Sequence, residues 1–209
     1  LHEQFDIIHE NFLPYGIEIN LAGIDHTINK VWSNVTIFSQ TEKDMKSALH
    51  KGTYTDINMY ILYAVSGYTY FPESGVRFLS DPITDGVIIS YEAASGGNRT
   101  GRDRGLTAVH EIGHWFGLEH TFVRGCEGLG DGIEDTPNEN IDELDTNNMC
   151  PESRDTCPRH EGLNPIHNFM DTTSDECKTE FTRGQVERMH TIFKLLRLPK
   201  VPLKKWQNN

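Results

Sequence analysis

The stretch HEIGHWFGLEH, residues His110 to His120, decides how the rest of the chain is read. On a helix, positions i and i+4 lie one turn apart and about 40° around, so His110 and His114 present their imidazoles to one point. Two imidazoles so placed form a clamp for zinc. His120 falls roughly 240° further round and cannot join them if the helix continues. Gly117 removes that obstacle. Glycine takes a left-handed conformation without steric cost, ends the helix and turns the chain so that His120 returns as a third ligand. Three protein ligands leave a fourth position open for water, as in catalytic rather than structural zinc sites. Glu111, next to the first ligand, is placed as a general base: it takes a proton from zinc-activated water and later passes it to a leaving amine. The full pattern arises in roughly 2 of 10,000 shuffles of this composition, so core histidines do not account for it.

Around this motif the periodicity predicts an α+β chain. Phe5, Ile8, Phe12 and Leu13 recur at helical spacing until Pro14. Ile17, Ile19 and Leu21 alternate with polar residues as a half-buried strand ended by Gly23. Glu42 to Lys51 reads as a short amphipathic helix carrying Met45, Ala48 and Leu49. Ile57 to Val65 (INMYILYAV) reads as a strand buried on both faces, and Gly86 to Tyr91 (GVIISY) as a second strand. The glycine-rich run Gly96 to Gly101 reads as a flexible connection. The motif helix spans Thr107 to Gly117. From Thr121 to Pro165 the chain is irregular and rich in Gly, Asp, Asn and Pro. A last helix opens at Thr182, where Thr182 and Gln185 form a capping box, and runs to about Leu196. The expectation is a single catalytic domain, with an upper subdomain at about 1–117, a lower one at about 118–209 and a cleft between them.

Composition narrows the function classes. The 209 residues are 36% hydrophobic and include ten Phe, seven Tyr and three Trp, which disfavours disorder despite a formal charge of −12. No apolar run approaches the ~20 residues of a membrane span, and no signal peptide opens the sequence. The charge is uneven: Leu1 to Cys177 carries 29 acidic and 11 basic residues, and the remainder 2 acidic and 8 basic. An acidic body argues against sequence-independent nucleic-acid binding, and the basic end with Lys200, Lys204 and Lys205 reads as a solvated tail. Cys126, Cys150, Cys157 and Cys177 cluster in one loop-rich stretch, which points to two disulfides and an oxidising compartment. A thiolate zinc site is the weaker reading, because the closest spacing is C-x6-C. Asn34-Val35-Thr36 and Asn98-Arg99-Thr100 are N-glycosylation sequons and fit a secreted protein.

The motif, together with Gly125-Cys126, Gly130 to Pro137 (GDGIEDTP), His167 to Asp171 (HNFMD) and Phe181 to Gln185 (FTRGQ), resembles the pappalysin family of metzincin metallopeptidases, especially its secreted fungal and bacterial members. The likeness runs from about Gln4 to the final helix. It implies a secreted zinc endopeptidase with a twisted five-stranded upper subdomain and an irregular lower one. His110, His114 and His120 would be the ligands, Glu111 the base, and Met170 the Met-turn residue beneath the metal. Read by itself, Met170 is an ordinary core methionine. The resemblance implies the pairing Cys126–Cys157 and Cys150–Cys177, and calcium in the lower subdomain. The acidic run from Cys126 to Asp145 would suit such a cation, with Asp131, Thr136 and the carbonyl of Glu134 as candidates. Glu176, with Asp175 beside it, would select Arg or Lys as the residue following the scissile bond.

Two departures stand out. Thr172 occupies the position where the family carries a Tyr thought to stabilise the tetrahedral intermediate, and losing such a donor costs about 10²–10³ in kcat. The family also carries a strand before the segment matching Gln4 to Phe12, and this sequence starts after it. The leading expectation is a secreted endopeptidase acting on peptide or protein substrates, with the strand at Gly86 to Tyr91 as the sheet edge that pairs with substrate. The competing expectation is a catalytically impaired, metal-stabilised binding module derived from a peptidase, against which the retained Glu111 argues. A small-molecule zinc hydrolase fits H-E-x-x-H alone and none of the downstream segments.

Overall fold

The computed structural model describes residues 1–63, 67–72, 82–141 and 150–198. Helix α1 (His2–Phe12) buries Gln4, Ile8 and Phe12 along one stripe, as the spacing predicts. Pro14 does not end it abruptly: Leu13–Tyr15 continues as one tight turn, closed by Gly16 at φ +71°. Helix α2 (Gln40–Leu49) begins at Ser39, whose hydroxyl accepts from the Glu42 amide. Its buried face is not the apolar one expected. Glu42, Met45 and Lys46 are inside and Ala48 is exposed, because Lys46 pairs with Glu42 at 2.8 Å and lies 4.3 Å from the Tyr70 ring.

Three strands form one mixed sheet in the order β1-β3-β2 among the described residues. Strand β1 is Met59–Leu62, β2 is Tyr68–Thr69 and β3 is Val87–Ser90. β1 runs parallel to β3 with Met59 opposite Val87, and β2 runs antiparallel to it with Tyr68 opposite Ile88. β3 is buried at every position. Three sequence expectations change here. The strand at Gly86 to Tyr91 is the interior one among the described residues, so it is not the sheet edge expected from sequence. The strand predicted over Ile57 to Val65 is shorter and only half-buried save Tyr60, and Ala64 and Val65 lie outside the described residues. The Ile17–Leu21 segment is irregular rather than a strand. A cavity of about 1360 Å³ separates it from β1, lined on one side by Ile17, Ile19 and Leu21 and on the other by Met59 and Ile61, so the alternating residues find no ladder to join. Among the described residues the sheet has three strands; the resemblance implied five.

Helix α3 (Leu106–Trp115) carries the motif and packs on β3 and on α1. Gln4 fixes the α1 contact: its amide donates to the Gly105 carbonyl at 3.0 Å and accepts from the Ser95 amide at 2.9 Å. The glycine-rich run before α3 is held by backbone hydrogen bonds, Gly96 to Asp103 and Arg99 to Glu92, rather than left loose. Helix α4 (Arg183–Ile192) starts with the predicted capping box at Thr182 and Gln185 and continues to Arg197 in a wider turn. Arg197 reaches back into the core, where it donates to the Trp115 carbonyl at 3.0 Å and pairs with buried Asp85 at 2.6 Å. Between α3 and α4 the described residues are irregular, stapled by Cys126–Cys157 and Cys150–Cys177, the pairing the resemblance implied. Asn34 and Asn98 are exposed. No helix among the described residues is long and apolar enough to cross a membrane.

Candidate active site

The end of α3 determines where the third histidine goes. Gly117 sits at φ +88°, and the amides of Gly117 and Leu118 bond back to the carbonyls of His114 and Gly113. This left-handed stop turns the chain and returns His120 to the helix face. The Nε2 atoms of His110, His114 and His120 then form a triangle with sides of 3.1, 3.0 and 3.1 Å. Tetrahedral ligands at zinc–nitrogen distances of ~2.0–2.1 Å lie roughly 3.3 Å apart, so the three nitrogens match that demand closely. His110 Nδ1 donates to the Phe169 carbonyl and His114 Nδ1 to the Leu118 carbonyl, both at 2.7 Å. Those bonds place the ring proton on Nδ1 and turn the Nε2 lone pair inward. Burial, with neighbouring imidazoles at His110 and His114 and with Lys178 at His120, holds the rings neutral: His110 falls well below its ordinary pKa, His114 to about 3 and His120 to about 4. Neutral imidazole is the form that binds metal.

Glu111 is 5% exposed. Burial pushes its carboxyl up to about 7. The Thr69 hydroxyl, on β2, donates to Glu111 Oε2 at 2.9 Å and to the Glu111 backbone carbonyl at 3.0 Å. Gly67 closes over the same carboxylate: a Cβ there would meet Glu111 Oε1 at 2.4 Å. Neither Gly67 nor Thr69 was anticipated from sequence. A single Thr and a single Gly some forty residues upstream give no periodic signal, and only the strand pairing brings them to α3.

Met170 is fully buried and lies against α3 at Gly113, where a Cβ would meet its sulfur at 2.5 Å. Gly113 is therefore the small residue that admits the thioether against α3. His120 is steadied from behind by a buried polar knot, also unforeseen. Its neighbour Thr121 donates to Glu139, which also accepts from Asn164 at 2.7 Å and pairs with Arg154 at 2.6 Å; Arg154 in turn meets Asp171. Thr172 turns its amide and hydroxyl to Asp171 and so does not face the histidines. Glu176 is 59% exposed and paired with Arg104 at 3.5 Å, whereas Asp175 is buried and accepts from the Arg104 amide. In the acidic loop, Asp131 Oδ2 and Thr136 Oγ1 are buried without partners, and burial pushes Asp131 up to about 6. The side chain of Glu134 is exposed. Three further acids of that run, Asp142, Glu143 and Asp145, lie outside the described residues, as do Lys200, Lys204 and Lys205.

Comparison with known proteins places this geometry. The family model described as pregnancy-associated plasma protein-A (Peptidase_M43) matches residues 40–194. An extracellular metalloprotease of Podospora anserina is 42% identical over 196 residues, covering 92% of this chain and 65% of that protein. The chain thus spans somewhat less than two thirds of that relative's length. Among solved structures, mirolysin in complex with a compound superposes with a TM-score of 0.73 at 29% identity, covering 91% of this chain and 82% of that one. Mature mirolysin of Tannerella forsythia, solved with a cleaved peptide, gives 0.58 at 34% identity over 75% of this chain and 60% of that one.

Proposed function

The chain belongs to the Peptidase_M43 family, and from that premise we propose that it is a secreted zinc endopeptidase hydrolysing peptide bonds without a covalent intermediate. The observation that carries this reading is the triangle of Nε2 atoms at 3.0–3.1 Å with the buried carboxylate of Glu111 beside it. A structural zinc site has no use for such a base. His110, His114 and His120 would hold the zinc, which when bound supplies Lewis acidity to water and to the scissile carbonyl. Glu111, held by Thr69, takes the proton of the attacking water and delivers it to the departing amine. The edge of β2 left open among the described residues pairs with an extended substrate and lays it across α3. Residues 1–117 and 118–209 act as the upper and lower walls of one catalytic domain. The extracellular relatives, the two disulfides and the exposed sequons support secretion.

The test is a proteome-derived peptide library incubated with the protein, with new termini mapped by mass spectrometry. Cuts that disappear when zinc is chelated, return when it is restored and never appear with Glu111→Ala are the expected result. Their absence from folded, zinc-loaded protein would leave the metal-stabilised binding module as the better reading. The same library reads selectivity, for which the sequence expectation is Arg or Lys after the cut through Glu176 and Asp175.

Gly67→Ala addresses the positioning of the base. The added methyl must displace the Glu111 carboxylate, and a shift of that order lowers kcat about 10²-fold. Bound zinc, measured by atomic absorption, is expected to stay at one per chain. Wild-type kcat in this variant would show that Gly67 does not position Glu111.

Calcium fits the lower loop. The buried oxygens of Asp131 and Thr136 lie close to each other and are hard donors, and the carbonyl of Glu134 completes our candidate set. Asp131 titrates higher folded than unfolded, so without a cation its contribution to stability is present below about pH 4 and lost as pH rises through about 6. Calcium is therefore expected to raise Tm most above pH 6. Saturation at 100 times Kd contributes about 2.7 kcal/mol, an increase of roughly 5–10 °C, shrinking toward pH 5 and in Asp131→Ala. A Tm indifferent to calcium and chelator at pH 7 would remove this site.

A further inference from the structure

Strand β2 carries the chain past the histidines in alternation. Tyr68 and Tyr70 face α2, with the Lys46 ammonium 5.8 and 4.3 Å from their ring centres. Thr69 faces the other way and bonds Glu111. In an extended chain the next residue on that side is two further on. Phe71 stands there, its ring centre 5.0 Å from that of His114. Thr69 and Phe71 thus lie against Glu111 and His114, so the strand and its continuation run along α3. Pro72 follows. It holds the residue before it extended, which keeps the alternation through Phe71, and its missing N–H gives nothing to a pairing strand beyond that point. Phe71 keeps 41% of its surface exposed although its ring is packed on a histidine of the triangle. Across the histidines a second ring, half-buried Phe122, is stacked on His120 at 4.6 Å and 14°.

We propose that Phe71 is a specificity-determining residue of the cleft, and that its open face receives a large apolar side chain, Leu, Met, Phe or Tyr, of a substrate residue close to the scissile bond. This rests on the endopeptidase reading, with substrate added to the edge of β2 left open among the described residues. A chain paired there alternates as β2 does, so every second side chain turns toward α3. The one across from Phe71 lies ~4.5–5.5 Å away, Cβ to Cβ. At that distance it covers the exposed part of the ring, and both apolar surfaces leave water together. An amide or carboxylate side chain in the same place would give up hydration for a phenyl face that offers it no hydrogen bond. Contact with His114 accounts for the buried part of Phe71. The exposed part, held beside a histidine of the triangle on the strand that pairs with substrate, is the part a substrate side chain covers.

Two measurements test this. In the peptide library, wild-type cuts are expected to be enriched in Leu, Met, Phe or Tyr at one position near the bond. That preference should be kept in Phe71→Leu and lost in Phe71→Ala, while preferences at the other positions stay. If Phe71 only steadied His114, Phe71→Ala would lower kcat equally on all substrates and leave selectivity unchanged, and that result overturns the proposal. Independently of turnover, zinc-loaded Glu111→Gln protein is titrated calorimetrically with an extended heptapeptide carrying Leu in place of Asn at each position in turn. At one position Leu is expected to tighten binding at least about tenfold, a difference of ~1.4 kcal/mol, and Phe71→Ala is expected to abolish the gain. Near-ultraviolet circular dichroism checks folding, and Phe71→Gln, which keeps bulk and loses the apolar face, replaces the alanine variant if that one is unfolded. No apolar preference at any position, a preference for Arg or Lys alone, or one that survives the loss of the ring overturns the proposal. A library without cuts combined with a Leu gain that needs Phe71 would instead fault the endopeptidase reading and leave the assignment of Phe71 standing.

Discussion

Glu111→Ala is expected to lower kcat/KM on a cleavable peptide by about 10²–10⁴-fold, the range a positioned general base contributes. The loss should fall on kcat, because the carboxylate acts on protons that move only as the bond breaks, and KM should change little. The Nε2 triangle does not include Glu111, so one zinc per chain and an unchanged Tm are expected. Stopped assays with parallel metal analysis decide it. Less than a tenfold loss would mean that another group handles the proton, and loss of zinc would mean that the carboxylate shapes the metal site.

The second large effect is on stability. Asp85→Ala leaves the Arg197 guanidinium, itself buried, without its carboxylate and removes the acceptor of Trp115 Nε1 at 3.0 Å. Stranding a buried charge costs about 3–5 kcal/mol, which lowers Tm by roughly 10 °C or more in a domain of this size. The double variant Asp85→Ala with Arg197→Met is expected to recover much of that loss, since removing both charges also removes the desolvation penalty. A single variant within 2 °C of wild type by calorimetry would show that the pair contributes little.

What was legible in the sequence follows from the range over which each signal acts. The motif helix, its stop at Gly117 and the return of His120 are local events. Spacing and one glycine dictate them, and the structure reproduces them in detail. The capping box at Thr182 is local too. The misses are long-range or charged. The alternation of Ile17, Ile19 and Leu21 is real, but a strand needs a neighbour, and a cavity lies between this segment and β1. The rank of β3 in the sheet depends on pairing order, which its own residues do not encode. Glu42, Lys46, Asp85 and Arg197 all read as surface residues by type, yet all are buried. Each has a partner, Arg197 112 residues beyond Asp85. Gly67 and Thr69 became visible only when the fold set them over Glu111.

The bond from Arg197 to the Trp115 carbonyl also orders events in time. A ribosome that has just made His120 has already produced every histidine of the triangle and the carboxylate beside it. The Phe169 carbonyl that orients His110, the Met170 beneath it and the guanidinium that closes the end of the motif helix are still to be synthesised. During translation the chain therefore carries the three histidines and Glu111 without their arrangement, which exists only once the Arg197 guanidinium has reached the Trp115 carbonyl.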